Sequence, residues 1–220
     1  PSAPLSVTAP VNDNLCDCIK CDNTDDMMMK VALALASRAE ILEGTDNLPS
    51  VGCVIRGFNN HLPVYSVGWN GFISNIDKKD LDAIKSCREP SKEEIGIDRD
   101  VAKRYCLHAE VQALNSLHGN VPDATAYITH SPCHDCAKQL IHRGIRRVFY
   151  LFWLNGCEST IELFELQDIT CMAFPHRDLI LRDFSLDFLQ KTGINRGGTD
   201  TDKLPEKCPS FVGSKDRKQK

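Results

Sequence analysis

The chain has 220 residues, a formal net charge of −4 at neutral pH and a pI near 6.0, with 42% hydrophobic and 25% charged residues. That length and balance suit one sizeable core with tails, and the absence of a global basic field disfavours a polyanionic partner. No run of 18 apolar residues occurs, and the Pro/Ser/Thr/Asp-rich start lacks the basic and apolar regions of a secretory leader, so a soluble cytoplasmic protein without membrane contact is expected. The eleven cysteines are odd in number and scattered, and read as reduced core residues or metal ligands rather than a disulfide framework.

Residues 1–25 are polar and proline-containing and read as a flexible segment ahead of a domain over 26–192. Met28, Val31, Ala32, Leu35, Ala39 and Leu42 have the spacing of an amphipathic helix that stops near Gly44. Two strands, Val51 to Arg56 and Val64 to Trp69, follow, joined through a hairpin-like turn at 57–61. The charged segment 70–105 shows little periodicity and is too long for an ordinary loop, so it is an insertion that is functional or carries helix of its own. Val111, Ala113, Leu114 and Leu117 give a helical stripe fading at Gly119, and a strand follows at Ala124 to His130. A second helix starts behind Pro132, continues through Ala137, Leu140 and Ile141, and ends at Gly144. The apolar strand Arg147 to Trp153 belongs near a sheet centre, followed by a short helix (Thr160 to Leu166), a strand (Ile169 to Phe174) and a last helix (Asp178 to Gln190). Residues 193–220 are a basic Gly/Lys/Pro-rich tail. Strands alternating with helices imply an α/β fold, a sheet with parallel pairs covered on both faces.

The chemistry concentrates in Leu107-His108-Ala109-Glu110 and in Ser131-Pro132-Cys133-His134-Asp135-Cys136, with 24 residues between His108 and Cys133. Cys133 and Cys136, three apart at a helix start, share one face and can grip one ion, and helix N-termini favour their ionised form. One imidazole (His108) and two thiolates leave a tetrahedral zinc one ligand short, which a catalytic site needs and a closed structural site does not. Glu110, beside the first ligand but outside the set, is then free to move protons. His134 points away from the Cys133/Cys136 face. This H-x-E and P-C-x-x-C order is that of zinc-dependent nucleobase deaminases.

The chain resembles the cytidine and deoxycytidylate deaminase superfamily over roughly 27–190, most of all its dCMP deaminases. Beyond the metal motif, Leu48-Pro49-Ser50-Val51-Gly52-Cys53-Val54-Ile55 is similar to the family's first strand and preceding loop. Gly68-Trp69-Asn70-Gly71 is similar to its G-Y-N-G, and Ser131 to Lys138 to its S-P-C-x-x-C-A-K. Where mononucleotide members often continue with a Pro/Gly turn, this chain has Phe72-Ile73-Ser74-Asn75. The resemblance implies a three-layer α/β/α sandwich with a five-stranded mixed sheet, a Zn2+ cofactor, a small-molecule cytosine nucleotide as substrate, and a homo-oligomer. It implies deamination, most of all of dCMP to dUMP, with Glu110 as the proton carrier. Asn70 is then a sugar contact, although Asn-Gly alone reads as a turn. The Ala109 or Cys133 backbone N–H is placed to fix the base, Trp153 to stack on base or sugar or fill the core, and Arg104, four residues before His108, to hold a phosphate.

Polynucleotide cytosine deaminases acting on single-stranded DNA or RNA share the metal motif, but their surfaces interleave aromatics with Arg/Lys. Here the compact basic groups are Arg143/Arg146/Arg147, Lys103-Arg104 and the Lys215–Lys220 tail. An inactive scaffold or binding subunit would have no need of Glu110. Finally, Cys16, Cys18 and Cys21 form a C-x-C-x-x-C cluster able to wrap a second, structural zinc if Cys87 or Cys208 arrives as fourth ligand; the bland alternative is a mobile reduced tail.

Overall fold

The computed structural model describes residues 21–39, 49–59, 61–72, 106–154, 158–191 and 198–199. Helix α1 (Asn23–Ala36) starts three residues before the expected domain boundary, because Asp22 and Asp25 form a capping box: Asp22 accepts the Thr24 and Asp25 amides and Asp25 accepts that of Asp22. Its buried face is Met28, Met29, Ala32, Leu33 and Ala36, whereas Val31 is exposed. The helix is thus rotated from the expected stripe and ends at Ala36; residues 40–48, including the expected stop at Gly44, lie outside the described residues.

Strands β1 (Gly52–Asn59) and β2 (Leu62–Trp69) pair antiparallel down to Asn59 opposite Leu62, so the turn is tighter than 57–61, with His61 at φ 65°. The short strands β3 (Gly71–Phe72) and β4 (Cys106–Leu107) pair with each other and bring the two ends of the 73–105 segment together. Then come α2 (Ala109–Asn115), β5 (Ala124–His130), α3 (His134–His142), β6 (Ile145–Leu154), α4 (Glu158–Leu166) and β7 (Thr170–Ala173). The expected last helix is two, α5 (Arg177–Arg182) and α6 (Leu186–Lys191), with the Ser185 hydroxyl capping the second through the Phe188 amide. The two-residue strand β8 (Gly198–Thr199) pairs antiparallel with the end of β6.

The main sheet runs β2-β1-β5-β6-β7; β1 is antiparallel to both neighbours, and β5, β6 and β7 are parallel. All seven β5 residues are buried, as a strand covered on both faces requires. Alternation sorts the two cores: Cys53, Ile55, Ala126, Ile128 and Val148 face α2, α3 and α4, while Val54, Tyr127, Phe149 and Leu151 face α1 and α5. The result is a three-layer α/β/α sandwich around a five-stranded mixed sheet. Among the described residues no helix is long and apolar enough to cross a membrane.

Candidate metal centre and cleft

Both metal-motif segments fold alike: a strand end, a turn, then a helix whose N-cap is the first ligand. His108 caps α2 and Cys133 caps α3, each with extended backbone, and their carbonyls accept the first helical bonds from Gln112 (3.0 Å) and Ala137 (2.9 Å). Cys136, on the third helical position, then stands beside Cys133. The two helix starts face one point. His108 Nδ1 lies 3.6 Å from Cys133 Sγ and 3.3 Å from Cys136 Sγ, and the three donor atoms lie within 4.8 Å of one another. Ligands at zinc–nitrogen and zinc–sulfur bond lengths around a tetrahedral ion stand about 3.6 Å apart, so the donor set fits zinc in both chemistry and spacing. Among the described residues it is the one such group of three or more.

The three donor groups also shift one another's proton affinities. Hydrogen bonding from Cys136 draws the Cys133 thiol down to about 4, and the same bond holds the Cys136 proton in place, pushing that thiol up. Beside the thiolate, His108 is raised to about 9, first through its bond to Cys133. Glu110, on the first turn of α2, is only 4% exposed, and burial pushes its carboxyl up against the opposing pull of His108.

The donors open into a cleft of about 160 Å³ at the C-terminal ends of β5 and β6, lined in part by His108, Ala109, Glu110 and Cys133. Asn70 also lines it, and its side chain clasps the loop before β1: Oδ1 accepts the Val51 amide at 2.7 Å and Nδ2 donates to the Pro49 carbonyl at 2.9 Å. The amide thus ties together two separate stretches of family resemblance. Gly68 belongs to the same design: α2 passes so close to β2 that a Cβ there would meet the Ala109 carbonyl oxygen at 2.2 Å.

Trp153, in contrast, does not line the cleft. Its ring packs 5.7 Å from that of Tyr150, and its strand neighbour Leu154 lines the cleft instead, since successive strand side chains point to opposite sides. His134 is exposed. Arg104, Cys16, Cys18, Cys87 and Cys208 lie outside the described residues. Cys21, the one described member of the second cluster, sits at the start of α1 next to Asp22, which lines a polar pocket with Arg56, Thr125 and Arg147 at the opposite end of the strands. Its thiol is raised to about 11, by burial first and then by Asp25 and Asp26.

The lining adds residues that motif reading passed over, among them Cys106, His130 and Leu154, and includes Ser131 of the S-P-C-x-x-C motif. Ser131 Oγ accepts the Leu154 amide at 2.8 Å and its own amide donates to Phe152 at 2.8 Å, fastening the metal loop to β6. The available signal was position: His130 ends the strand that leads into the S-P-C-x-x-C segment and Ser131 follows it, where open α/β sheets present ligand sites.

Comparison with known proteins follows the same lines. The chain is 29% identical over 131 residues to a probable deoxycytidylate deaminase of Caenorhabditis elegans (59% of this chain, 60% of the relative). It is 27% identical over 179 residues to the deoxycytidylate deaminase of Mus musculus (76% and 92%). A solved dCMP deaminase from the cyanophage S-TIM5, in complex with dCMP and dUMP, is similar at 19% identity and TM-score 0.48, over 71% of this chain and 100% of that one. The chain spans about three fifths of the length of the nematode relative. The description matched by a family model is the cytidine and deoxycytidylate deaminase zinc-binding region, and because that match spans residues 22–152, more than half of the 220, the chain belongs to the cytidine and deoxycytidylate deaminase family.

Proposed function

We propose that the chain is a zinc-dependent hydrolase that deaminates a cytosine nucleotide, with dCMP, converted to dUMP, as the first candidate substrate. The observation that carries this reading is the convergence of His108, Cys133 and Cys136 within 4.8 Å, with buried Glu110 in the same cleft. An ion held by these three donors supplies Lewis acidity that makes water a nucleophile near neutral pH. Glu110 accepts the proton of the water adding to C4 of the cytosine ring and delivers it to N3. It then passes a proton to the departing amino group, so that water is consumed, ammonia leaves and the uracil compound remains. Burial keeps bulk water from competing for that proton. The backbone N–H of Ala109, one residue from both His108 and Glu110, or that of Cys133 is assigned the task of holding the base. Asn70 keeps one amide hydrogen and one lone pair beyond its two loop bonds, which suits a sugar hydroxyl.

Support for the nucleotide comes from the relatives, which carry the name deoxycytidylate deaminase. Among the described residues lining the cleft none is Lys or Arg; Arg104, four residues before His108 in sequence, is kept for the 5′-phosphate. The exposed Phe58, Leu62, Tyr65 and Val67 on the β1–β2 hairpin favour the expected homo-oligomer, and a monomer by sedimentation at working concentration removes that part of the reading. A panel of cytosine nucleosides, mono- and triphosphates and oligonucleotides, scored by product mass, tests the substrate. Deamination of dCMP ahead of the rest is expected. Faster turnover of single-stranded oligonucleotide at equal cytosine concentration overturns it.

A further inference from the structure

We propose that His130 is a substrate-contacting residue, an aromatic wall that sets the cytosine ring against Glu110; this rests on the function proposed above. His130 ends β5, three residues before Cys133, is 1% exposed and lines the same cleft as Glu110, His108 and Cys133. Its ring is fixed from two sides. Thr129 Oγ1 accepts the Gly52 amide at 3.1 Å and stands 3.1 Å from His130 Nδ1, and the Phe152 ring lies 5.2 Å away, tilted by 33°. Phe152 is in turn covered by the Arg177 guanidinium at 5.0 Å.

His108 and Cys133 belong to the donor set, Glu110 carries protons, Asn70 is clasped to 49–51, and Ser131 Oγ is bonded to Leu154. Among the described lining residues His130 is the aromatic ring outside the donor set, and a rigid planar side chain lining the cleft suits a flat heterocycle better than a sugar or phosphate. A ring so held restricts the pyrimidine's tilt and brings C4 toward the donors, the kind of orientation on which reaction rate depends steeply.

The test compares His130→Leu, His130→Phe and His130→Gln with the unaltered zinc-loaded protein, reading kcat and KM for dCMP, metal content and melting temperature. His130→Leu is expected to raise KM at least tenfold and lower kcat/KM by 10- to 100-fold at one zinc per catalytic site, with His130→Phe retaining more than His130→Leu. If His130→Gln retains more than His130→Phe, the contact is a hydrogen bond from the side chain and not an aromatic wall, which overturns the proposal. Thr129→Val, which loosens the ring, should move KM in the same direction by a smaller factor. An active unaltered protein whose His130→Leu form has the same kcat and KM overturns this proposal alone, as does a loss of rate that merely tracks lost zinc. An unaltered protein inert toward every cytosine compound overturns the proposed function and this inference with it.

Discussion

Replacing Gly68 by Ala adds one methyl group and should damage both stability and turnover. A Cβ there would lie 2.2 Å from the Ala109 carbonyl oxygen, 2.6 Å from the Ala113 amide nitrogen and 2.9 Å from Gln112 Cβ. Bringing the first of these out to an ordinary 3.4 Å contact requires a retreat of 3.4 − 2.2 = 1.2 Å, and the obstacle is helix backbone rather than a flexible side-chain tip. That shift stretches the bonds that hold β2 to α2, from the Ser66 hydroxyl to the Ala113 carbonyl and from the Trp69 amide to Gln112 Oε1. Overpacking of this kind costs about 1–3 kcal/mol and each weakened bond about 1 kcal/mol, so a loss of roughly 3 kcal/mol is expected. In a domain of this size that lowers the melting temperature by roughly 6–12 °C. Because α2 carries His108 and Glu110, displacement by an ångström should also reduce turnover by about 100-fold. Scanning calorimetry and initial rates on zinc-loaded protein measure both. Gly119→Ala serves as the control: nothing lies within 4 Å of its Cβ, and the cost, about 1 kcal/mol, comes only from its φ of +78°. A Gly68→Ala protein that melts within about 2 °C of the original and keeps its rate refutes the close-approach argument.

Glu110→Gln keeps the side-chain shape without the proton carrier, so zinc content should stay at the original value while turnover falls by at least about 10³-fold; loss of most zinc in that variant reverses the assigned roles. Cys133→Ala or Cys136→Ala should release the metal, read by elemental analysis, and loosen the junction of α2 and α3, read as lower soluble yield. Tyr127→Phe removes the hydroxyl that donates to buried Asp25 at the far end of the sheet; it should cost about 1–3 kcal/mol in urea unfolding and leave KM unchanged, and a changed KM would contradict the separation of the two ends. Asp22→Ala removes the α1 cap at about 1 kcal/mol near pH 7. The Asp25 and Thr24 amides hold the Asp22 carboxyl below its ordinary 3.8, so the cap's contribution is present above that value and fades as pH falls through the lower folded value. Unfolding curves of the two proteins should therefore converge in acid, and a gap that persists there denies the linkage.

Much of the site was legible in the sequence because it is local. His108 and Cys133 each open a helix, Cys136 follows by three positions, and Glu110 by two, so spacing alone puts the donors at helix starts. Strand β5 was read to its residue boundaries, since it is free of charged Asp, Glu, Lys and Arg, rich in Thr, Tyr and Ile, and bounded by Pro122-Asp123 and Ser131-Pro132. The parallel centre of the sheet followed from strands alternating with helices.

What the sequence left open are choices between faces, which only packing makes. From Met27 to Ala36 the sole charged residue of α1 is Lys30, so periodicity offered several buried faces; the sheet selected Met28, Met29, Ala32, Leu33 and Ala36. Trp153 and Leu154 are adjacent at the end of β6, and only the tertiary structure decides that the leucine reaches the cleft. The same holds for the distances between the two metal segments, for the Asn70 clasp across 19 and 21 residues, and for His130 as a wall of the site. Identity and short-range spacing are properties of the chain, whereas the side of an element that meets a ligand depends on what packs against its other side.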